Sequence, residues 1–297
     1  MKRAAFVFAF GILHSAFAGA QPSPARVTVL YDAFGNPSDL KRDWGFAALV
    51  EYGGRRILFD TGNNAEFFKF NTDRLKVDLT RLDAAVISHR HGDHTSGLSY
   101  LIERNPSLRI YTPQEGAYFR GVTPPTFLAR HPGLPANLQY FGGTNPEGLV
   151  SGSPWPTGNF EMVSAAKEIF PGFFVVTTRS QKPGTLEMNE VSLAIRTPRG
   201  LVVVVGCSHP GVERILENAA QIDSRLFTVV GGFHLVQTPE PEIRRVATLL
   251  RDTLKIERVA PAHCTSELGF AVFLDVFKGR FDHAGVGSVV SLPTSSQ

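Results

Sequence analysis

The stretch that most constrains this chain is Ser88-His89-Arg90-His91-Gly92-Asp93-His94, in which three imidazoles and a carboxylate crowd into one short turn. An apolar run, Leu82-Asp83-Ala84-Ala85-Val86-Ile87, precedes it and reads as a buried strand. Thr95-Ser96-Gly97-Leu98 follows and reads as the start of a helix. In an extended segment residues two apart point the same way, so His89 and His91 share a side and can share a metal ion. Gly92 lets the backbone bend, after which Asp93 and His94 can reach a second point close by. Nitrogen and carboxylate donors suit Zn²⁺ and related first-row ions such as Fe or Mn, one or two of them. An ordinary polar loop has no physical reason to concentrate so many metal-competent side chains.

The first twenty residues stand apart from any core. Lys2 and Arg3 form a basic start, an apolar run follows to Phe17, and Ala18-Gly19-Ala20 places small residues before Gln21-Pro22. This reads as a secretory signal peptide cleaved after Ala20, which predicts a periplasmic or secreted protein. The run is too short for a membrane anchor, and no later stretch is long enough to span a bilayer, so no membrane association is expected after cleavage. Cleavage removes two basic and no acidic residues, so the formal charge falls from +3 to +1, with 28 basic side chains against 27 acidic ones. That balance gives no argument for a nucleic-acid partner. The remainder, 21–297, reads as a single domain with a Pro/Gly-rich insertion at about 121–160.

Before the histidine stretch, 27–31 reads as a strand, and 46–52 with 56–59 as a hairpin turned by Gly53-Gly54. Residues 64–70 read as a short helix, and a second helix is expected from the histidine stretch to about 103, then a strand at 108–111. Residues 121–160 hold many prolines and glycines and are expected to be irregular. Phe119, Phe127, Tyr140, Phe141 and Trp155 there either wall a substrate pocket or anchor the loop on the core; His131 reads as a surface residue. Strands are expected at 173–178, 191–196, 201–206, 226–230, 259–262 and 286–292. Helices are expected after Cys207-Ser208-His209-Pro210-Gly211 to about 220, capped by Ser208 or His209, and at 240–254 and 267–277.

His209, His234 and His263 each follow a hydrophobic strand. Loops at strand ends of layered α/β folds converge on a rigid core, which is where sites collect. The two cysteines, Cys207 and Cys264, lie beside two of these histidines. They could pair, stay free or, for Cys207, ligate metal.

The order strand, H-x-H-x-D-H, helix resembles the metallo-β-lactamase superfamily. Phe59-Asp60-Thr61-Gly62 extends the likeness, with Asp60 either orienting the histidine loop or merely forming a turn. Gly206-Cys207-Ser208-His209-Pro210-Gly211, Gly231-Gly232-Phe233-His234 and Pro261-Ala262-His263-Cys264-Thr265 are similar to the dihydropteroate-synthase-like, or methanopterin-biosynthesis-like, metallo-hydrolase branch. The resemblance spans about 27–292. It implies an α/β fold, a four-layer αβ/βα sandwich of two mixed sheets flanked by helices, with metal along its upper edge. It implies His89, His91 and His209 on metal one, and Asp93, His94 and His263 on metal two. His234 is then a proton-transfer or supporting residue, with direct ligation as the alternative. The chain departs from the common pattern where many members place a bridging aspartate, a position taken here by Cys207. Glu187 or Glu190 could supply a carboxylate instead.

The expected function is an exported metal-dependent hydrolase of a small-molecule ester, lactone, amide or phosphoester, acting through a metal-bound hydroxide with Asp93 as proton acceptor. Alternatives are a phosphodiesterase or nuclease-like hydrolase, and a non-catalytic metal-binding protein that retains the site.

Overall fold

The computed structural model describes residues 24–122, 131–144, 152–181 and 188–295. The expected leader at 1–20, Phe127 and Glu187 lie outside the described residues.

Strands β1 (Arg26–Tyr31), β2 (Ala47–Tyr52), β3 (Arg55–Phe59), β4 (Ala84–Val86), β5 (Ile110–Pro113) and β6 (Phe160–Val163) fall in one sheet. Strands β7 (Lys167–Phe170), β8 (Phe173–Arg179), β9 (Asn189–Thr197), β10 (Gly200–Val205), β11 (Leu226–Gly232) and β12 (Arg258–Ala262) form the other. The last strand, β13 (Val289–Ser291), returns to the first sheet beside β1. Their orders are β13-β1-β2-β3-β4-β5-β6 and β12-β11-β10-β9-β8-β7. Both sheets are mixed: β3 to β6 run parallel, as do β10 to β12, while the remaining neighbours are antiparallel.

Helices α1 (Ala65–Arg74), α2 (Gly92–Thr95), α3 (Leu98–Arg104) and α4 (Gly116–Phe119) belong to the first half. Helices α5 (Val212–Ala219), α6 (Glu240–Asp252) and α7 (Glu267–Phe277) belong to the second. Three apolar clusters define the layering. Val27, Val29, Phe59, Val175, Leu193, Val202 and Val204 meet between the sheets. Phe68, Leu98 and Leu101 seal α1 and α3 onto the first sheet. Ile215, Ile243, Val246, Leu250, Val272 and Phe273 seal α5, α6 and α7 onto the second. The result is the four-layer αβ/βα sandwich that the resemblance implied.

The sequence explains these faces. Strand β10 is apolar throughout because both of its faces are covered. Val202 and Val204 point into the middle cluster, while Leu201, Val203 and Val205 point under the helices. The Gly53-Gly54 hairpin forms as expected, with Tyr52 opposite Arg55. Asn64 caps α1, its side chain accepting from Glu66 N–H and Phe67 N–H.

Some local expectations are corrected. Helix α1 continues to Arg74, beyond the expected end at 70. The single helix expected after the histidine stretch is two, α2 and α3, separated at Ser96 and Gly97. Gly97 lies against Thr61, where an added Cβ would come within 2.4 Å of the carbonyl oxygen, so that close packing admits no side chain. Neither Ser208 nor His209 caps α5. Its N-cap is Gly211 at φ 103, without a side-chain hydrogen bond, because Ser208 and His209 are drawn elsewhere. Strand β7 went unanticipated, since Lys167 and Glu168 hide an edge strand behind charge. Among the described residues no helix is long and apolar enough to cross a membrane.

Candidate metal centre

The C-terminal ends of β3, β4, β10, β11 and β12 converge at one edge of the sandwich. The loop after β4 delivers His89, His91, Asp93 and His94; the second sheet delivers Cys207, His209, His234 and His263. Two sets of potential ligand atoms cluster within 4.8 Å: Asp93, His94, Cys207 and His263, and His89, Cys207 and His209. His91 joins the second set through its Nδ1, 3.2 Å from His89 Nε2, and its ring lies 4.8 Å from that of His209. All six residues singled out as candidate ligands are thus brought together. A third set holds Cys207, His234 and Cys264, with the His234 ring 4.3 Å from that of His209.

The spacing fits an ion. Four donors at about 2.0–2.3 Å around a tetrahedral metal lie about 3.3–3.8 Å from one another. Here Asp93 Oδ2 lies 3.6 Å from His94 Nε2 and 3.3 Å from His263 Nε2, within that range, whereas His94 Nε2 lies 3.1 Å from Cys207 Sγ, closer than two ligands of one ion sit. His263 is fully buried, yet neither of its ring nitrogens has a hydrogen-bond partner. Buried polar nitrogens are rarely left so, and a cation between Asp93 and His263 satisfies Nε2, the nitrogen that faces Asp93.

The surroundings fix which ring nitrogen faces inward. Ser88 donates its backbone N–H to Asp60 Oδ1 (2.6 Å) and its hydroxyl to Asp60 Oδ2 (2.7 Å). With that proton committed, His89 Nδ1–H donates to Ser88 Oγ (2.8 Å), which leaves Nε2 bare toward the centre. His94 Nδ1–H donates to Asp60 Oδ2 (2.7 Å), which turns its Nε2 toward the centre. Asp60 is therefore no mere turn former: wholly buried, it orients two imidazoles at once. Glu190 is its counterpart in the second sheet. Its carboxylate accepts the backbone N–H groups of Cys207 (3.1 Å), Ser208 (2.7 Å) and His209 (2.9 Å), and His209 Nδ1–H at 3.2 Å. Glu190, considered from sequence as a carboxylate donor to metal, is thereby used up in holding the loop and not aimed at the centre.

Charge follows the same arrangement. Burial pushes the His89 pKa well below its usual value, and the neighbouring imidazoles add to this. Partial desolvation, then the proximity of His209, brings His91 down to about 4. Both rings are neutral near pH 7, the state that binds metal. Burial acts to lower His94 as well, but the Asp60 carboxylate outweighs it and raises the ring to about 9. Burial acts to raise Asp93; the close approach of His263 Nε2 at 3.3 Å and the charges of His94 and His263 override it and hold the carboxyl below its usual range.

Sequence reasoning passed over Asp32, whose Oδ2 accepts the His263 backbone N–H at 2.9 Å. Like Asp60 it terminates a strand with a buried carboxylate, the one signal that could have drawn attention to it. Both cysteines are free and buried. Of the aromatics in the insertion, Phe119 and Trp155 pack with Tyr118 and Phe160 and anchor it, whereas Tyr140, Phe141 and His131 are exposed.

The metallo-β-lactamase superfamily profile matches residues 44–263, and the chain belongs to that superfamily. It is 27% identical over 276 residues to the 7,8-dihydropterin-6-methyl-4-(β-D-ribofuranosyl)-aminobenzene-5'-phosphate synthase of Methanocaldococcus jannaschii, covering 88% of this chain and 93% of the relative. That name accords with the branch to which the later motifs pointed. Among solved structures it is similar to Tm1679, described as a metal-dependent hydrolase of the β-lactamase superfamily, at 25% identity and a TM-score of 0.68 over 91% of this chain and 99% of that one. YhfI from Bacillus subtilis shares the fold, with a TM-score of 0.54 at 14% identity over 90% of this chain and all of that one.

Proposed function

We propose that this chain is an exported metal-dependent hydrolase of a small ester, lactone, amide or phosphoester. The observation that carries the reading is the convergence of nitrogen, oxygen and sulfur donors from separate strand ends, with Asp93 at tetrahedral spacing from His94 and His263. His89, His91 and His209 would hold one ion; Asp93, His94 and His263 would hold a second, with Cys207 offered to both. Zinc suits this donor set, and iron or manganese are alternatives at the position that includes the Asp93 carboxylate. When bound, the metal supplies a water made acidic near neutral pH and an electrophile for a carbonyl or phosphoryl oxygen.

The protein groups do the rest. Asp93, partly exposed and held ionised by its histidine neighbours, accepts the proton of the attacking water on the carboxylate oxygen not turned to the ion. Asp60, Ser88 and Glu190 keep His89, His94 and His209 in one tautomer and orientation. His234, half-buried at the rim beside His209, delivers a proton to the leaving group. The near-neutral charge of the mature chain favours a small substrate over nucleic acid, and because the relative is named for synthesis of a dihydropterin-bearing phosphate, pterin-containing compounds belong on the panel to be tried. The leader at 1–20 supports export; mass spectrometry of the mature N-terminus tests it, with a chain that keeps residues 1–20 opposing it.

The test of the activity is metal per chain, followed by hydrolysis of p-nitrophenyl esters and bis-p-nitrophenyl phosphate with and without chelator. Chelator-sensitive turnover supports the reading. Stoichiometric metal with no such turnover on a broad panel makes this a non-catalytic metal-binding protein.

A further inference from the structure

We propose that Trp44 is a preformed platform on which a planar aromatic or heteroaromatic ring of the substrate stacks beside the metal centre. The inference rests on the hydrolase reading for its word substrate, but its geometry is independent of turnover. The Trp44 ring lies 4.8 Å from that of His263, the histidine whose Nε2 faces Asp93. Trp44 is nevertheless 44% exposed, although it is among the largest apolar side chains in the chain.

The exposure is not that of a loose loop. On one side, Asp43 is pinned by the Tyr31 hydroxyl (2.5 Å) and the Asn63 amide (3.3 Å). On the other, Gly45 adopts φ 137, and a Cβ there would fall 2.5 Å from the Asp93 carbonyl oxygen. Phe46 is fully buried and donates its N–H to that same carbonyl at 3.2 Å. The backbone carrying Trp44 is therefore fastened to the backbone of the metal loop itself. Rigid, exposed aromatic area next to a reactive centre binds flat rings with little ordering cost. If Trp44 served only to cover His263, its indole would be expected to lie down on the core, as Trp155 does against Phe119.

The test uses non-hydrolysable ligands on the metal-loaded full chain. Phenylphosphonate and cyclohexylphosphonate carry the same charged group on a flat and a puckered ring. The chain has two tryptophans, so Trp155→Phe leaves Trp44 as the sole indole reporter. Phenylphosphonate is expected to quench its fluorescence saturably and to bind about tenfold more tightly than cyclohexylphosphonate, in line with a single stacking contact. Isothermal titration calorimetry, which needs no indole, reads the variants: Trp44→Ala should abolish that preference, and Trp44→Phe should retain most of it. Equal or undetectable binding of the two ligands, or a preference that survives Trp44→Ala, overturns the proposal. Hydrolysis of p-nitrophenyl esters by the same preparation separates the two readings. Turnover without ring preference sinks the platform alone, while ring preference without chelator-sensitive turnover sinks the hydrolase alone.

Discussion

Replacing Glu190 with glutamine removes one oxygen from a buried site and leaves the shape unchanged. The native carboxylate accepts two backbone N–H groups on Oε1, from Cys207 and Ser208, and two donors on Oε2, the N–H and Nδ1–H of His209. A glutamine keeps one acceptor oxygen and turns its amide NH₂ toward two donors. Two hydrogen bonds to a charged acceptor, each worth about 1.5–3 kcal/mol, are lost. Allowing for partial relaxation, the cost is about 3–5 kcal/mol, the range found when a buried charge network loses one member. For a domain of this size that lowers the melting temperature by about 6–20 °C. The ring of His209 would also lose its orienting partner, weakening metal at that site by about 10–100-fold. Calorimetry on chelator-treated protein isolates the first effect, and competition with a chromophoric chelator measures the second. A melting temperature within about 2 °C of the parent in the chelated form would refute the stability argument. Unchanged metal affinity would show that Glu190 holds the loop without tuning the ligand.

His91→Ala should lose the metal held with His89 and His209 while the chelator-treated fold stays within about 0.5 kcal/mol of the parent, because His91 lies exposed at the mouth; unchanged metal content by elemental analysis would refute the ligand assignment. Stripping metal from the intact chain should lower its melting temperature by roughly 8–16 °C, since an ion present at about a thousand times its Kd contributes about 4 kcal/mol; a melting curve indifferent to chelator would count against a bound ion. Gly206→Ala places a Cβ 2.1 Å from Ser88 Oγ, so it should displace the histidine loop, cost about 1–3 kcal/mol and reduce metal occupancy; full occupancy at parental stability would show that the loop is softer than its hydrogen bonds imply.

The parts legible in sequence were those with a local chemical signature. His89, His91, Asp93 and His94 lie in one turn, and most strands followed from apolar runs of strand length, while their arrangement in two mixed sheets came from the resemblance to the superfamily. The residues missed or misassigned act across the sandwich. Asp32 reaches His263 across 231 positions of chain, and Glu190 gathers Cys207, Ser208 and His209 from a neighbouring strand. Their own segments offer no more than a carboxylate at a strand end, which looks the same whether it meets water or a buried imidazole. The cap on α5 was misassigned for the same reason: Ser208 has the right residue type, but its hydroxyl goes to the Gly232 carbonyl at 2.7 Å. Trp44 carried no periodic or spacing signal, since its meaning comes from the His263 ring beside it.

The backbone shows what the centre costs. Asp60, Ser208, His234 and His263 all take left-handed conformations, at φ 57, 64, 48 and 47, and each ends a strand at the edge where the donors meet. Such residues cost about 1–3 kcal/mol apiece unless their surroundings over-determine them. Here each is pinned: Asp60 by Ser88 and His94, Ser208 by Glu190, His234 by its N–H to Cys264 Sγ at 3.3 Å, and His263 by Asp32. These tethers oppose the strain but leave donor atoms crowded together, which an ion would relieve. The donors come from both sheets, so a bound ion would also link the two halves of the sandwich directly. Metal affinity and the docking of the sheets are then one free energy, and a substitution that loosens the interface between β4 and β10 must weaken the ion as well. This is why Gly206, which has no ligand atom of its own and faces Ser88 across the two sheets, is the position where packing and metal content should fall together.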